Sequence, residues 1–137
     1  MAFDAAAIQY RVYVDVKAED IDELDHVNNA VYLKYVELAA RAHAASVGLD
    51  FEGMVARGGV FVVRRHTITY FRPAQLGDRL EIATHIGEMR GARAMRFVWI
   101  LRDGEVLAEA ETEWVWIGPD SRRPKPMPPE VTGAFGS

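Results

Sequence analysis

The sequence predicts an α+β domain in which a curled antiparallel β-sheet wraps around one long central helix. Three observations favour this architecture. An apolar, alanine-rich segment between Asn28 and Gly48 has the length of a single long helix, strand-like segments lie on both sides of it, and turn signals separate those segments. The 137 residues suit one domain. We expect that domain to span residues 1–117, and a proline-rich tail over residues 118–137 to lie extended on the surface.

The N-terminal elements are a strand and the central helix. From Val12 to Val16 every second residue is valine, which is the pattern of a half-buried strand. After an acidic loop, Asn28 or Asn29 can cap the helix and Gly48 can end it. The polar exceptions within the helix form one narrow stripe, made of Lys34, Glu37 and Arg41. We therefore expect the helix to be buried around most of its circumference.

Four further strands follow the helix and are rich in Val, Ile, Thr, Phe and Trp. We expect them at Val60–Arg72, Leu80–Ile86, Arg93–Arg102 and Val106–Ile117. The Asp-Gly pair at 103–104 predicts a tight hairpin between the last two strands, whereas residues 87–91 predict a looser turn between the two before. A short second helical turn is expected between the central helix and the first of these strands.

The composition excludes several classes of function. A net charge of −4 argues against general nucleic-acid binding, which needs a concentrated basic surface. The chain has no cysteine, so disulfides, thiol catalysis and zinc–thiolate sites are excluded. The N-terminal segment lacks the features of a signal peptide, and no apolar run is long enough to span a bilayer. We therefore expect a cytoplasmic protein with neither a membrane nor a nucleic acid as partner.

The loop before the helix is the most informative segment for function. Asp22 and His26 stand just ahead of the predicted helix start. The first N–H groups of a helix have no intrahelical partners and carry a partial positive charge, so they would polarise a carbonyl placed there. A carboxylate beside that carbonyl can attack it or activate a water. The spacing is typical of an acyl-transfer site.

Other interpretations of the acidic loop stay open at this point. Its carboxylates can simply complement the helix dipole as a capping cluster. A calcium loop beginning at Asp20 is unsuited, because Asp25 and Val31 replace the turn glycine and the closing glutamate that it requires. A transition-metal site at His26 lacks other histidines at ligand spacing. No metal and no organic cofactor is expected.

Two segments resemble the motifs of a known family. Residues 20–33, DIDELDHVNNAVYL, resemble the Asp-x-Asp-x-x-Gly-His-Val-Asn-Asn-x-x-Tyr motif of hotdog-fold acyl-CoA thioesterases. Residues 70–78, YFRPAQLGD, are similar to the Tyr-x-x-Pro-Ala-x-x-Gly-Asp turn of that family. The branch that the chain resembles most is the 4-hydroxybenzoyl-CoA thioesterase-like one. The resemblance extends through Trp116 and implies a hotdog fold over the predicted domain.

Carried onto this sequence, the resemblance implies a role for each matching residue. The family's catalytic carboxylate falls on Asp22, and His26 matches a position beside the thioester. Backbone N–H groups around Val27 to Asn29 would bind the oxyanion. The catalytic residues implied are Asp22, His26 and Asn29, and the substrate contacts implied are Val27, Asn28 and Tyr32. Asp25 departs from the motif, because relatives commonly have glycine there.

Basic residues outside the motifs suggest contacts to phosphate. Arg90 and Arg93 lie at a predicted hairpin, where they could bind the phosphates of coenzyme A. Arg64 and Arg65 are adjacent on a strand, so we expect them on opposite faces and not in one groove. Glu37 is expected to make ordinary helix-surface ion pairs with its basic neighbours. The three tryptophans are expected in the core or an interface.

The resemblance implies hydrolysis of an acyl-CoA or acyl-carrier thioester to a free acid and a thiol, with Asp22 as nucleophile or general base. A non-catalytic acyl-thioester binding module and a hotdog dehydratase acting on 3-hydroxyacyl thioesters are the alternatives. A panel of acyl-CoA esters separates the three, because only a hydrolase releases thiol. Bare sheet edges invite pairing, and relatives place the site at a subunit interface. A homodimer or homotetramer is therefore expected.

Overall fold

The computed structural model describes residues 2–135, which form a five-stranded antiparallel sheet with one long helix packed on one face. The strands are β1 Tyr10–Asp15, β2 Val60–Tyr70, β3 Arg79–Arg90, β4 Arg93–Arg102 and β5 Glu105–Ile117. The helices are α1 Asn29–Ser46, α2 Phe51–Ala56 and α3 Pro129–Phe135. The strand order is β1-β3-β4-β5-β2, so β1 and β2 are the edge strands. The predicted α+β class and its order of elements are confirmed.

The central helix begins and ends where its capping residues predict. The Asn28 side chain accepts a hydrogen bond from the Ala30 N–H at 2.9 Å, which is the geometry of an N-cap. Beyond the last helical turn, Gly48 has a φ of 79°, a left-handed conformation that glycine adopts without steric cost. Local chemistry at each end therefore fixes the length of α1.

Burial of α1 is one-sided, so the expectation that it is buried around most of its circumference is wrong for the single chain. Its buried residues lie on one face: Val31, Tyr32, Tyr35, Val36, Ala39, Ala40, His43 and Ala44. That face packs on β1, β3 and β4. Leu38, on the other side, is 45% exposed. None of the helices within residues 2–135 has the length and apolar character needed to cross a bilayer.

The hairpin turns differ in how well the sequence predicted them. Asp103 and Gly104 have φ values of 49° and 81°, which confirms the tight turn between β4 and β5. The prediction of a looser turn at residues 87–91 is wrong, because β3 continues to Arg90 and the chain reverses at Gly91. The strand is irregular where Gly87 lies against the Phe97 ring, since a Cβ there would be 2.5 Å from a ring carbon. Close packing, and not a turn, accounts for that glycine.

The C-terminal segment is not an extended surface tail throughout, which corrects the prediction for residues 118–137. Its backbone first follows the sheet, with the Lys125 N–H donating to the Trp116 carbonyl at 3.0 Å. It then forms α3, which packs on the core through Val131 and Phe135, one helical turn apart, and Met127 just ahead of the helix joins the same cluster. The proline content masked this amphipathic pattern. The last two residues of the segment, 136 and 137, lie outside the described residues.

The interior is filled largely by aromatic and branched side chains from the sheet and α1. Trp99 and Trp116 are buried, as is most of Trp114, which confirms that the tryptophans are packing residues. Trp114 and Trp116 pack with Phe61 beneath α2 and α3. Trp99 lies on the opposite face of the sheet, where the N-terminal Phe3 and Ile8 cover it.

Candidate active site

The loop between β1 and α1 folds back on itself as a small hairpin. The Asp22 N–H donates to the His26 carbonyl at 2.9 Å, and the Asn28 N–H donates to the Asp20 carbonyl at 2.8 Å. Asp25 sits at the tip with a φ of 60°, the left-handed region that glycine would occupy more easily. The hairpin therefore holds the two motif residues, Asp22 and His26, directly opposite each other at the start of α1.

The carboxylate of Asp22 is held by one oxygen and free at the other. Its Oδ1 accepts hydrogen bonds from the backbone N–H groups of Leu24 at 2.9 Å and His26 at 3.3 Å. Its Oδ2 has no hydrogen-bond partner among residues 2–135. The side chain is half-buried, so the free oxygen is fixed in direction and remains reachable. This arrangement suits a base or a nucleophile better than a purely structural cap.

Of the backbone N–H groups predicted to bind the oxyanion, two are already hydrogen-bonded within the protein and one is free. The Val27 N–H donates to the Ala74 carbonyl at 2.9 Å, and the Asn28 N–H is bonded to Asp20. Neither can bind substrate without breaking these bonds, and the Val27 side chain is buried in the core. Within the described residues the Asn29 N–H, the first of α1, has no partner. It is the donor left for a carbonyl oxygen.

Two tyrosines brace the start of α1 from the sheet side. The Tyr70 hydroxyl donates to the Asn29 carbonyl at 3.3 Å, and the Tyr32 hydroxyl oxygen accepts the Ala74 N–H at 3.1 Å. The two rings pack edge to face at 5.1 Å. Tyr32 is buried, and this burial raises the pKa of its hydroxyl. The structure thus places Tyr32 behind the helix start, where it fixes the turn after β2.

Asp20, the other aspartate of the motif, is committed to local structure. Its Oδ2 accepts the Lys17 N–H at 3.0 Å, closing a short 3₁₀ turn at Ala18–Asp20. It also lies near Tyr35, where burial, reinforced by the Asp20 charge, raises the pKa of the hydroxyl to about 12. Within residues 2–135 no three His, Asp or Glu side chains are arranged to hold a metal ion, and this includes the acidic loop.

A largely apolar chamber of about 610 Å³ lies beside α1, where that helix leaves β5 and β2 uncovered. Its walls include Val36, Ala40, Ala44, Leu49, Met54, Phe61 and Trp114. One polar pair interrupts them, His66 Nδ1 and Thr112 Oγ1 at 2.9 Å. Glu37 and Arg41 also line it and form the predicted helix-surface pair at 3.8 Å. Sequence patterns gave no signal for this chamber, because it arises from how the helix is placed on the sheet.

The structure agrees with the sequence expectation for the position of Arg90 and Arg93 and differs from it for Arg64 and Arg65. Arg90 and Arg93 face each other across the β3–β4 hairpin, and the Arg93 Nε pairs with Glu113 Oε2 at 2.5 Å. Arg64 and Arg65 both line a second, polar pocket together with Arg93 and Glu113. The expectation that Arg64 and Arg65 cannot share a groove is therefore wrong. A β-bulge between Val63 and Arg65 breaks the alternation on which it rested.

Comparisons with known proteins place this architecture in a family. The chain matches the model of the thioesterase-like superfamily over residues 16–135. It is similar to the acyl-CoA thioester hydrolase YbgC of Escherichia coli, with 32% identity over 127 residues that cover 92% of this chain and 95% of that protein. It is 26% identical to the acyl-acyl carrier protein thioesterase ATL2 of Arabidopsis thaliana, over 93% of this chain and 68% of that protein.

A solved structure gives the same result at the level of the fold. The Thermus thermophilus thioesterase complexed with coenzyme A and Zn has a TM-score of 0.84 and 30% identity to this chain. The match covers 94% of this chain and 92% of that one. The span matched by the family model includes both motif segments and also α3.

Proposed function

Since this chain belongs to the thioesterase-like superfamily and is a hotdog-fold thioester hydrolase, we propose that it cleaves an acyl-CoA or acyl-carrier thioester to a free acid and a thiol. The names of the relatives support both kinds of carrier, since one is an acyl-CoA thioester hydrolase and another an acyl-acyl carrier protein thioesterase. The Thermus thioesterase, complexed with coenzyme A, supports CoA as one carrier.

The observation that carries this proposal is a free carboxylate oxygen and a free helix N–H at the same end of α1. Neither Asp22 Oδ2 nor the Asn29 N–H has a hydrogen-bond partner in the described chain. A thioester carbonyl oxygen bound to the Asn29 N–H would also face the positive end of the helix dipole. Its carbon would then be open to attack from the side of Asp22.

The chemistry can follow two balanced routes. As a general base, Asp22 takes a proton from water while the water oxygen bonds to the carbonyl carbon, and the tetrahedral oxyanion then collapses to the acid and the thiolate. As a nucleophile, Asp22 bonds to the carbon itself, expels the thiolate, and leaves an acyl anhydride that water opens. In both routes the negative charge gathers on the oxygen near the Asn29 N–H, and the thiolate leaves with a proton from the medium.

His26 has a positioning role in this proposal. Its backbone is bonded to Asp22 in both directions, since its carbonyl accepts the Asp22 N–H and its N–H donates to the Asp22 carboxylate. These bonds fix the His26 backbone relative to the Asp22 carboxylate, and the residue is half-buried. In this position it can orient the thioester group relative to Asp22, as the family resemblance implies.

The apolar chamber is the proposed site for the acyl group. Val36, at its near end, follows Asn29 by seven residues, which places it about 10 Å along the helix from the carbonyl site. An acyl group that leaves the carbonyl and follows α1 would reach the chamber and bury its carbons there. This placement accommodates chains and rings that extend beyond a short acyl group.

The hairpin arginines are the proposed contacts for the phosphates of CoA. Arg90 and Arg93 are opposite each other in register, and like charges in that position destabilise a sheet unless an anion or a counterion lies between them. Glu113 neutralises part of the Arg93 charge. Arg90 is exposed and is free to receive a phosphate group. A carrier-protein substrate would meet the same basic hairpin with its own phosphopantetheine arm.

Release of thiol from a panel of acyl thioesters tests the proposed function. The panel contains acetyl, medium-chain, long-chain, 3-hydroxyacyl and aryl CoA esters together with one acyl-carrier-protein ester. A hydrolase releases thiol in repeated turnovers from at least one of them. If every ester is bound and none releases thiol, the proposal fails in favour of a binding module. If a 3-hydroxyacyl ester loses water instead, the proposal fails in favour of a dehydratase.

A further inference from the structure

A polar pair in the wall of the chamber has no role in the steps above. His66 on β2 and Thr112 on β5 are cross-strand partners, and His66 Nδ1 lies 2.9 Å from Thr112 Oγ1. The wall around them is largely apolar and includes the packed rings of Phe61 and Trp114. Polar groups in such a wall are costly unless each donor and acceptor has a partner. The hydrogen bonds of this pair therefore bear on what the chamber can receive.

The β-bulge in β2 is what turns His66 toward the chamber. Before the bulge, Val63 is paired with Trp114. After it, His66 is paired with Thr112. Without the extra residue, Arg65 would be opposite Thr112 and would point into the chamber, because side chains alternate between the two faces of a strand. The irregularity thus places a half-buried imidazole where a long cation would otherwise lie.

Burial of Thr112 determines which ring nitrogen of His66 carries the hydrogen. Thr112 is 1% exposed, and its hydroxyl has His66 Nδ1 as its one hydrogen-bond partner among residues 2–135. If Nδ1 were the donor, the hydroxyl hydrogen would be buried without an acceptor, which is unfavourable. The favoured arrangement has the Thr112 hydroxyl donating to Nδ1. The hydrogen of the neutral imidazole is then on Nε2.

The Nε2–H of His66 is a donor that the described chain leaves free. Nε2 has no hydrogen-bond partner within residues 2–135 and is not among the buried polar atoms, so a ligand in the chamber can reach it. The charged residues that line the chamber are Glu37, Asp50 and Arg41, two carboxylates and one guanidinium. Their net charge of one negative disfavours a second carboxylate as the acceptor. A neutral oxygen, in a hydroxyl or a keto group, fits this donor.

We propose, resting on the proposed function, that the acyl chain of the substrate carries a hydroxyl or keto oxygen that accepts a hydrogen bond from His66 Nε2. His66 is then a specificity-determining residue, and Thr112 is a positioning residue that fixes the ring and its hydrogen. The oxygen takes no part in cleavage of the thioester. It determines which acyl chains the chamber holds well.

The position of this oxygen along the acyl chain follows from β2. His66 and Tyr70 are four residues apart, or about 13 Å, and the Tyr70 hydroxyl is bonded to the Asn29 carbonyl at the start of α1. The hydrogen bond from Nε2 spans about 3 Å of that distance. An extended alkyl chain advances about 1.25 Å per carbon, so the oxygen lies about eight to ten carbons from the thioester. The substrate class is a chain oxygenated far from the thioester, and a 3-hydroxyacyl group does not meet this requirement.

The test compares 10-hydroxydecanoyl-CoA with decanoyl-CoA in the intact protein. We expect the wild-type kcat/KM to be about threefold to tenfold higher for the hydroxylated ester. His66→Phe should remove this preference by raising KM for that ester, with kcat nearly unchanged and decanoyl-CoA unaffected. His66→Gln keeps an N–H donor and should restore part of the preference. 3-Hydroxydecanoyl-CoA is the positional control, and its kcat/KM should not respond to either variant.

The role of Thr112 is tested by the same ratio. Thr112→Val removes the hydroxyl at similar volume and should lower the preference for the distal hydroxyl, whereas Thr112→Ser keeps the hydroxyl and should retain the preference. Thr67→Val is the matched control, because Thr67 adjoins His66 on β2, is exposed and does not line the chamber. It should leave the ratio at the wild-type value. A ratio that Thr112→Val leaves unchanged would reject the positioning role.

A wild type that prefers decanoyl-CoA, or an equal loss on both esters in His66→Phe, would overturn the proposal. Calorimetry with the free acids separates this result from a failure of the proposed function, because it requires no turnover. Tighter binding of 10-hydroxydecanoate than of decanoate by the wild type, with the difference lost in His66→Phe, supports the role of His66 even if no thioester is hydrolysed. Turnover of both esters without a preference for the distal hydroxyl supports the hydrolase and rejects the role of His66.

Discussion

At the residue scale, two aspartates of one motif are distinguished by their hydrogen bonds. The Asp20 carboxylate accepts a hydrogen bond from the Lys17 N–H, and the Asp20 carbonyl accepts one from the Asn28 N–H. Asp20 therefore stabilises the shape of the loop. Asp22 uses one oxygen to fix its own direction and leaves the other free. The sequence could not separate these roles, because both residues are acidic and precede the same helix. The resemblance pointed to Asp22, and the bonding pattern gives that assignment a physical reason.

Replacing Asp22 by Asn should abolish most turnover while keeping the fold. The amide keeps an oxygen at Oδ1 for the Leu24 and His26 N–H groups, so we expect the stability to change by about 1 kcal/mol or less. An amide is a poor base and a poor nucleophile, so kcat should fall by about 10² to 10⁴. Steady-state kinetics with an acyl-CoA that the wild type turns over, together with a denaturant melt, measures both quantities.

Asp20→Asn is the matched control for that substitution. It makes the same change of charge two residues away, and it weakens the hydrogen bond that the Lys17 N–H makes. We expect a loss of stability of about 1 kcal/mol with kcat within a few-fold of the wild type. If both variants lose turnover equally, or if Asp22→Asn turns over normally, the assignment of Asp22 is wrong.

Asp25 is a strained position that glycine should relieve. Its φ of 60° is unfavourable for a residue with a Cβ, although aspartate tolerates it better than most. Asp25→Gly should therefore raise the free energy of unfolding by up to about 1 kcal/mol, and Asp25→Ala should lower it by a similar amount. Urea denaturation of both variants measures the difference. Equal stability of the two would mean that the left-handed backbone carries no cost here.

Buried His43 should make the stability of the protein depend on acid. Burial lowers the pKa of His43 to about 4, and the Arg96 guanidinium, which donates to His43 Nδ1 at 3.1 Å, adds to the shift. In the unfolded chain the pKa of a histidine is near 6.5. Between these two values the unfolded state binds a proton that the folded state does not. The stabilising contribution of His43 is therefore complete above about pH 6.5 and is lost as the pH falls toward 4.

The size of this effect can be measured from unfolding at several pH values. The loss across that window is on the order of 3 kcal/mol if His43 alone is responsible. We expect His43→Gln to flatten the dependence between pH 6.5 and 4, whatever its effect on stability at neutral pH. The ring packs against Tyr10 and Phe135, so Arg96 is the charged group that faces it among the described residues. If the free energy of unfolding depends on pH in the variant as it does in the wild type, other groups cause the acid sensitivity.

At the scale of elements, features encoded by neighbouring residues were predictable and features set by packing were not. The start of α1 at its Asn28 cap, its end at Gly48 and the turn at residues 103–104 are each specified by local backbone chemistry. The bulge at Arg64 depends on how β2 pairs with β5, and no local signal marks it. The α3 helix was not predicted, because the prolines around it indicated an extended segment, although its apolar residues have helical spacing.

The placement of α1 over one half of the sheet gives a prediction for acyl selectivity. Ala45 is exposed on α1 and lines the chamber, so Ala45→Phe would fill part of the chamber without disturbing the core. We expect kcat/KM for a long-chain acyl-CoA to fall by about tenfold or more, while that for acetyl-CoA changes little. The ratio of the two values, measured for wild type and variant, is the readout.

Leu38→Phe is the control for the chamber, because Leu38 is on the same helix and does not line the cavity. It enlarges an exposed apolar side chain and should leave the ratio unchanged. If Ala45→Phe lowers kcat/KM for both substrates equally, the acyl group does not enter the chamber. If kcat/KM changes for neither substrate, the acyl group occupies another surface.

At the scale of the whole molecule, one chain leaves apolar surface and backbone unpaired on the side of β2. This edge strand has eleven residues, compared with six in β1, the other edge. Val62 and Val63 on β2 are 40% and 46% exposed. The chamber and the helix start with Asn29 also lie on this side of α1. A long edge with exposed valines favours pairing with another strand.

We therefore predict a homodimer or homotetramer that pairs through β2, with the candidate active site close to the contact between copies. Light scattering at micromolar concentration should give the mass of two or four chains for the wild type.

Val62→Glu would bury a charge in that contact and should shift the protein toward the mass of one chain. Tyr13→Glu makes a similar change on the other edge strand, at a residue that is 54% exposed, and should leave the assembly intact. A wild type with the mass of one chain would overturn the prediction of an oligomer. Dissociation by Tyr13→Glu alone would move the contact to β1.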